Sequence, residues 1–113
     1  MEKSSGKKNT AVLISGRGSN LKSLIKYSTT KKSLIRIVLV ISDNFGAKGL
    51  IYANKSKINN IVIRYSNRKS FEDRLLKVLN KNNVDLICLA GFMKILSGKF
   101  IKKFNKTILN IHP

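Results

Sequence analysis

The sequence is poor in several residue types, and each shortage argues against a class of site or protein. The single cysteine and the single histidine, Cys88 and His112, make no recognisable set of metal ligands, so no metal is expected. Cys88 lies inside an apolar run, which favours a small buried hydrophobic residue over a nucleophile. No apolar run approaches the length of about 18 residues that a membrane helix needs, so no membrane partner is expected.

Length and the N-terminal stretch predict a single domain in the cytoplasm. The chain has 113 residues, which is near the common size of one domain. Residues 1–10 are polar and lysine-bearing and contain no apolar segment of the kind found in secretory signals. We therefore expect residues 1–10 to be a disordered tail and residues 11–113 to form one α/β domain.

Acidic residues are scarce, and this shortage gives the chain its unusual charge. The chain has five Asp and Glu residues and 23 Lys and Arg residues, which gives a formal net charge of +18. Such a charge would attract nucleic acid non-specifically. The basic residues are mostly lysines, scattered among many Asn and Ile, and all three are encoded by AT-rich codons. No basic stripe or nucleic-acid-reading motif is visible, so nucleic-acid binding is not expected to be the function, although a basic binding module stays as a rival hypothesis.

Apolar runs alternate with segments of helical spacing along the whole chain. Strands are predicted at residues 11–14, 34–41, 61–65, 84–90 and 107–111. Helices are predicted to start near Asn20, at about Ala47, at a cap on Ser70 and at a cap on Ser97, with Ser19 or Asn20 capping the first. Strands that are apolar on both faces and alternate with helices predict a doubly wound, Rossmann-like parallel sheet covered by helices on both faces.

The stretch from Ala11 to Ile25 predicts a strand, a glycine-bearing turn and a helix. Such a turn directs backbone N–H groups and the positive end of a helix dipole at one point, where a phosphate or carboxylate is stabilised. Gly16 and Gly18 would allow a close approach of the anion, and Arg17 adds a charge. The turn matches neither the dinucleotide fingerprint nor a P-loop, so a tight turn without a ligand stays an equal alternative.

Three loops are predicted to meet at the carboxyl ends of the strands, where ligands of such sheets bind. They are residues 16–20, residues 91–96 and the end of the chain from Asn110 onward. Asn110 and His112 are two residues apart on a strand and should project to the same side. A structural or merely exposed His112 is one interpretation; the other is acyl-type transfer, in which an Asn amide or imidazole N–H stabilises an oxyanion and the histidine moves a proton.

Three stretches together resemble the phosphoribosylglycinamide formyltransferase family, the folate-dependent enzymes of purine synthesis. They are Ile-Ser-Gly-Arg-Gly-Ser-Asn-Leu (14–21), Leu-Ala-Gly-Phe-Met-Lys-Ile-Leu (89–96) and Leu-Asn-Ile-His-Pro (109–113). The resemblance implies formyl transfer from 10-formyltetrahydrofolate, a co-substrate, to the amine of glycinamide ribonucleotide. It further implies three groups of site residues: Gly18, Ser19 and Asn20 for the substrate phosphate; Arg68, Met93, Lys94, Ile95 and Leu96 for folate; and Asn110 and His112 for catalysis. From the residues alone, core packing is the alternative for Met93, Ile95 and Leu96.

Related formyl-handling families share the Asn-x-His signature and are the close competitors. Formyltetrahydrofolate deformylase has an added N-terminal regulatory domain and lacks the Gly-Ser-Asn turn, and methionyl-tRNA formyltransferase fits the first two stretches poorly. The sequence departs from the favoured family in having Lys94 where arginine is usual. It also stops at Pro113, about halfway through the family's usual length, before the Ser-Leu-Leu-Pro loop and the catalytic aspartate. The expectation is therefore an α/β fold incomplete at its C-terminal side, and an inactive fragment is a further alternative.

Overall fold

The computed structural model describes residues 6–111, and within that range five strands form one sheet flanked by four helices. The strands are β1 (Lys8–Ile14), β2 (Ile35–Ser42), β3 (Asn60–Val62), β4 (Leu86–Ala90) and β5 (Thr107–Ile111). The helices are α1 (Ser19–Ser28), α2 (Gly49–Lys55), α3 (Arg68–Lys81) and α4 (Gly98–Phe104). None of these helices combines the length and the apolar character that crossing a bilayer requires.

All strand pairs are parallel, and their order across the sheet is β3-β2-β1-β4-β5. The chain therefore winds outward from β1 in one direction to β3 and then returns to β1 to wind outward through β4 and β5. This order confirms the predicted doubly wound, Rossmann-like sheet. The winding reverses between β1 and β4, and crevices beyond the carboxyl ends of strands at such a reversal are where ligands bind.

The core lies on both faces of the sheet. One face packs against α3 and α4, whose buried side chains include Phe71, Leu75 and Phe100. The other face packs against α1 and α2, which contribute Leu21 and Ala53. Strands β1 and β2 are buried almost throughout, whereas the two edge strands of the described sheet, β3 and β5, have no fully buried residue. Helices on both faces were predicted and are confirmed.

Strand β1 starts earlier than the sequence predicted, at Lys8 instead of Ala11. Lys8 donates its backbone N–H to the carbonyl of Leu34, and Asn9 bonds Asp85 through both its N–H and its carbonyl. The assignment of residues 8–10 to a disordered tail was wrong, because backbone pairing on two sides ordered a polar segment that has no apolar signal. Residues 1–5 lie outside the described range.

Two of the predicted helix caps were wrong and one is confirmed. Helix α3 begins at Arg68, and its cap is Asn67, whose side chain accepts the backbone N–H of Ser70 at 2.9 Å. Ser70 is thus the donor in the third helical position rather than the cap. Ser97 does cap α4, accepting the N–H of Phe100 at 3.1 Å. The polar loop before α3 offers both Asn67 and Ser70, and spacing alone did not discriminate between them.

Candidate functional site

The loops that follow β1 and β4 lie side by side at the carboxyl edge of the sheet. The two strands pair directly, with Leu13 opposite Leu89, and β4 pairs in turn with β5, with Leu89 opposite Asn110. The loop at residues 15–18, the loop at residues 91–96 and the end of β5 therefore share one edge. Asn110 is exposed there, one residue before the end of β5. His112 lies outside the described residues.

Helix α1 begins without a capping side chain. Its N-cap is Gly18, in the left-handed conformation at φ 80°, and no side chain makes a capping hydrogen bond to the first N–H groups. Ser19 or Asn20 was expected to be the cap, but both lie inside the first turn, Ser19 exposed and Asn20 half-buried. The first turn also contains no acidic residue. The first N–H groups of α1 are thus left without a capping side chain, which is the arrangement that binds an anion.

This loop is in close contact with the start of α2. The backbone N–H of Gly49 donates to the carbonyl of Gly16 at 3.0 Å. A Cβ atom on Gly18 would overlap the Cα of Gly49, and a Cβ on Gly49 would lie 2.6 Å from Cδ1 of Ile14. Gly18 accordingly requires glycine, whereas a Cβ on Gly49 would require the end of the Ile14 side chain to shift. The role of Gly49 was missed because the sequence does not show that α2 approaches this loop.

The second loop, residues 91–96, lines a cavity of about 320 Å³ together with Asn110. The cavity wall consists of Leu89, Phe92, Met93, Lys94, Ile95, Leu96, Ile101, Ile108 and Asn110. Met93 is 78% exposed and Ile95 77% exposed, so the alternative of core packing was wrong for these two residues. Leu96 is half-buried and does pack against the core. Two large apolar side chains held in solvent beside a concave surface are typical of a binding site.

Aromatic side chains hold this loop against the rest of the fold. Phe92 stacks on Phe71 of α3 with 5.9 Å between ring centroids, and Tyr65 contacts the same ring at 5.2 Å. The Lys94 ammonium lies 4.8 Å from the centre of the Tyr65 ring, a cation–π distance. The sequence contains these aromatic residues, but it does not show that their rings contact one another.

A buried carboxylate holds the end of the loop. Glu72 of α3 is 8% exposed and accepts from both the N–H of Ser97, at 2.7 Å, and its hydroxyl, at 2.6 Å. Because Ser97 also caps α4, Glu72 fixes the junction between the loop and that helix. The helical spacing of α3 gave no reason to expect a buried acid here, since buried carboxylates are rare unless they are paired or hydrogen-bonded.

Arg68 does not join the other predicted folate residues in one cavity. It lines a separate cavity of about 350 Å³ between α3 and α4, with Glu72, Ser97 and Lys103 among its neighbours. The structure therefore brings together Met93, Lys94, Ile95, Leu96 and Asn110, but not Arg68. Cys88 is buried, as expected, and burial raises the pKa of its thiol. Residues 6–111 contain no cluster of three or more metal-ligating side chains.

A doubly wound sheet with an uncapped glycine turn at its switch point defines a Rossmann-like ligand-binding domain. The sequence profile of the family described as Formyl transferase matches residues 8–113. The chain belongs to that family.

Similar proteins cover nearly all of this chain, but the chain covers only part of them. It is 47% identical over 110 residues to a bovine trifunctional purine biosynthetic protein adenosine-3, matching 95% of this chain and 11% of that protein. It is 41% identical over 109 residues to a phosphoribosylglycinamide formyltransferase of Haemophilus influenzae, at 94% and 51% coverage. The crystal structure of the phosphoribosylglycinamide formyltransferase from Brucella melitensis superposes with a TM-score of 0.89 at 37% identity, over 95% of this chain and 57% of that one. The chain thus spans about half the length of these bacterial relatives.

Proposed function

We propose that this chain takes part in the transfer of a formyl group from 10-formyltetrahydrofolate to the amine of glycinamide ribonucleotide. The observation that supports it most is the adjacency of two loops with different chemistry. One presents an uncapped helix start to an anion, and the other borders a largely apolar cavity that ends at Asn110. A phosphate suits the first surface, and a flat folate ring system suits the second. The names of the relatives support formyl transfer to phosphoribosylglycinamide, and the folate donor is part of the proposal.

In this proposal the loop at the start of α1 binds the ribonucleotide. Gly18 allows the phosphate to approach the backbone, and Ser19 and Asn20 donate hydrogen bonds to it from the first helical turn. Arg17 is exposed beside them and adds a favourable charge. The amine end of the substrate then extends across the sheet edge toward β5.

The folate lies against residues 93–96 in the same proposal. Ile95 and Leu96 offer apolar contact to its ring, and the amide groups of the loop offer hydrogen bonds to the polar edge of the ring. Lys94 replaces the arginine usual in the family and is held over Tyr65, so its charge lies at the rim of the cavity. Arg68, in the separate cavity between α3 and α4, is the one proposed folate residue without support from this geometry.

Formyl transfer requires an oxyanion to be stabilised and a proton to move. The amine nitrogen attacks the formyl carbon, whose oxygen gains negative charge as the tetrahedral intermediate forms. The bond from that carbon to the folate nitrogen then breaks, and a proton from the amine ends on the folate nitrogen. We assign the Asn110 amide to the oxyanion and His112 to the proton transfer. Asn110 borders the cavity, as this role requires. The expected cytoplasmic location belongs to this proposal as well.

Calorimetric titration of the full chain with each substrate tests the assignment. Asn20→Ala should weaken glycinamide ribonucleotide binding by roughly tenfold, the loss expected for a hydrogen bond to a charged group, and should leave 10-formyltetrahydrofolate binding nearly unchanged. Asn80→Ala, which removes an exposed side chain on α3, is the matched control. Equal weakening of both substrates by Asn20→Ala would contradict the assigned roles. Absence of binding by the unaltered chain would refute the proposed function.

A further inference from the structure

Ser15, which follows β1 directly, makes hydrogen bonds to the loops after two other strands. Its hydroxyl oxygen accepts the backbone N–H of Met93 at 2.9 Å, across 78 positions in the sequence. Its carbonyl accepts the side-chain amide of Asn44 at 3.2 Å. Asn44 itself is fixed, because its N–H donates to the Ser42 hydroxyl at 3.0 Å and its side-chain oxygen accepts the N–H of Gly46 at 3.0 Å. Ser15 is therefore tied to the β2–α2 loop and to the loop at residues 91–96.

The loop at residues 91–96 has little else to fix its middle. Met93 and Ile95 point into solvent, so their side chains contribute little packing. The aromatic stack holds the loop at Phe92, and the Glu72–Ser97 hydrogen bonds hold its far end. The bond from Met93 to Ser15 is the polar contact, among the described residues, that joins this loop to the turn at residues 15–18.

We infer that Ser15 is a positioning residue that sets the loop at residues 91–96 relative to the turn at residues 15–18. The hydrogen bond from the Met93 N–H to the Ser15 hydroxyl thus links the two surfaces proposed for the two substrates. A ligand that orders the turn would then also order the neighbouring loop, so binding at one surface favours binding at the other. The contact stands on geometry alone, whereas the identity of the two ligands rests on the proposed function.

Amide hydrogen exchange of the full chain without ligand tests the contact. In Ser15→Ala the exchange rate of the Met93 amide should rise roughly three- to tenfold, the change expected from losing one ordinary hydrogen bond. Ser15→Thr retains the hydroxyl and should return the rate to within about twofold of the unaltered chain. Thr30→Ala is the matched control, since it removes an exposed hydroxyl whose bond to the Tyr27 carbonyl is distant from this loop in the sequence. An unchanged Met93 rate in Ser15→Ala would overturn the inference.

A second measurement tests the coupling and separates it from the proposed function. Saturating glycinamide ribonucleotide should slow amide exchange at residues 91–96 in the unaltered chain. In Ser15→Ala the ligand should change the logarithm of the exchange rate by at most about half as much. Equal slowing in both chains would overturn the coupling. If the ribonucleotide does not bind at all, the proposed function fails, and the Met93 rate without ligand still decides whether Ser15 positions the loop.

Discussion

Replacing Gly18 by alanine should be the most damaging single-methyl change in the turn at residues 15–18. Gly18 has φ 80°, and a left-handed conformation costs a residue with a Cβ about 1–2 kcal/mol. The added Cβ would also overlap the Cα of Gly49 and lie 3.3 Å from the Tyr52 ring, and such overpacking costs about 1–3 kcal/mol. Together these costs give a loss of about 2–5 kcal/mol, a large fraction of the stability of a domain of this size.

Gly16→Ala is the matched comparison, since the two glycines are neighbours in the same turn. A Cβ on Gly16 would meet nothing within 4 Å, and its φ lies outside the left-handed region. Its free energy of unfolding should therefore change by less than about 1 kcal/mol. Urea unfolding followed by circular dichroism measures both variants. If Gly18→Ala is as stable as Gly16→Ala, then the close approach of α2 to this turn does not exist as described.

Further predictions concern a buried carboxylate and a buried thiol. Glu72→Gln replaces one of the two accepting oxygens by an NH2 group, which then faces a Ser97 donor, so urea unfolding should show a loss of roughly 1–3 kcal/mol. Asp73→Asn should leave the urea midpoint unchanged, because Asp73 is exposed and its ion pair with Lys69 lies on the surface; an equal loss in both variants would contradict the role given to Glu72. Burial raises the pKa of Cys88, so the folded chain keeps a thiol proton that the unfolded chain releases. Stability should consequently fall as the pH rises above about 8.5, and a pH series of urea midpoints for Cys88→Ala should show a smaller fall. A steeper fall in Cys88→Ala would refute that assignment.

The sheet could be predicted from the sequence because its strands are buried on both faces. Apolar runs such as the one ending at Ile14 identify interior strands without any knowledge of their neighbours. The start of β1 could not be found in this way, since Lys8 and Asn9 are ordered by pairing with β2 and with Asp85 rather than by burial of apolar side chains. A polar strand end of this kind has no signal in a single sequence.

Part of the site could also be predicted from the sequence, because it depends on motifs and on strand pairing. Motif spacing located the turn after β1 and the loop after β4, and parallel pairing of these strands places the two together. The close approach of Gly18 to Gly49 and the stacking of Phe92 on Phe71 were not predicted. These contacts join segments far apart in the chain, so they follow only from the packing of the whole domain.

The strand order has a consequence for the chain while it is being synthesised. Strands β1, β2 and β3 leave the ribosome in this order, and β2 pairs with each of the other two, so these pairs are able to form early. The turn at residues 15–18 nevertheless lacks its second neighbour until β4 and the loop after it have emerged, because Met93 follows Ser15 by 78 positions. During that interval one edge of β1 is uncovered and open to pairing with another nascent chain. Strand β4 thus both closes this edge and completes the pair of loops at the sheet edge, so the chain gains protection from misassembly and an assembled site in the same step.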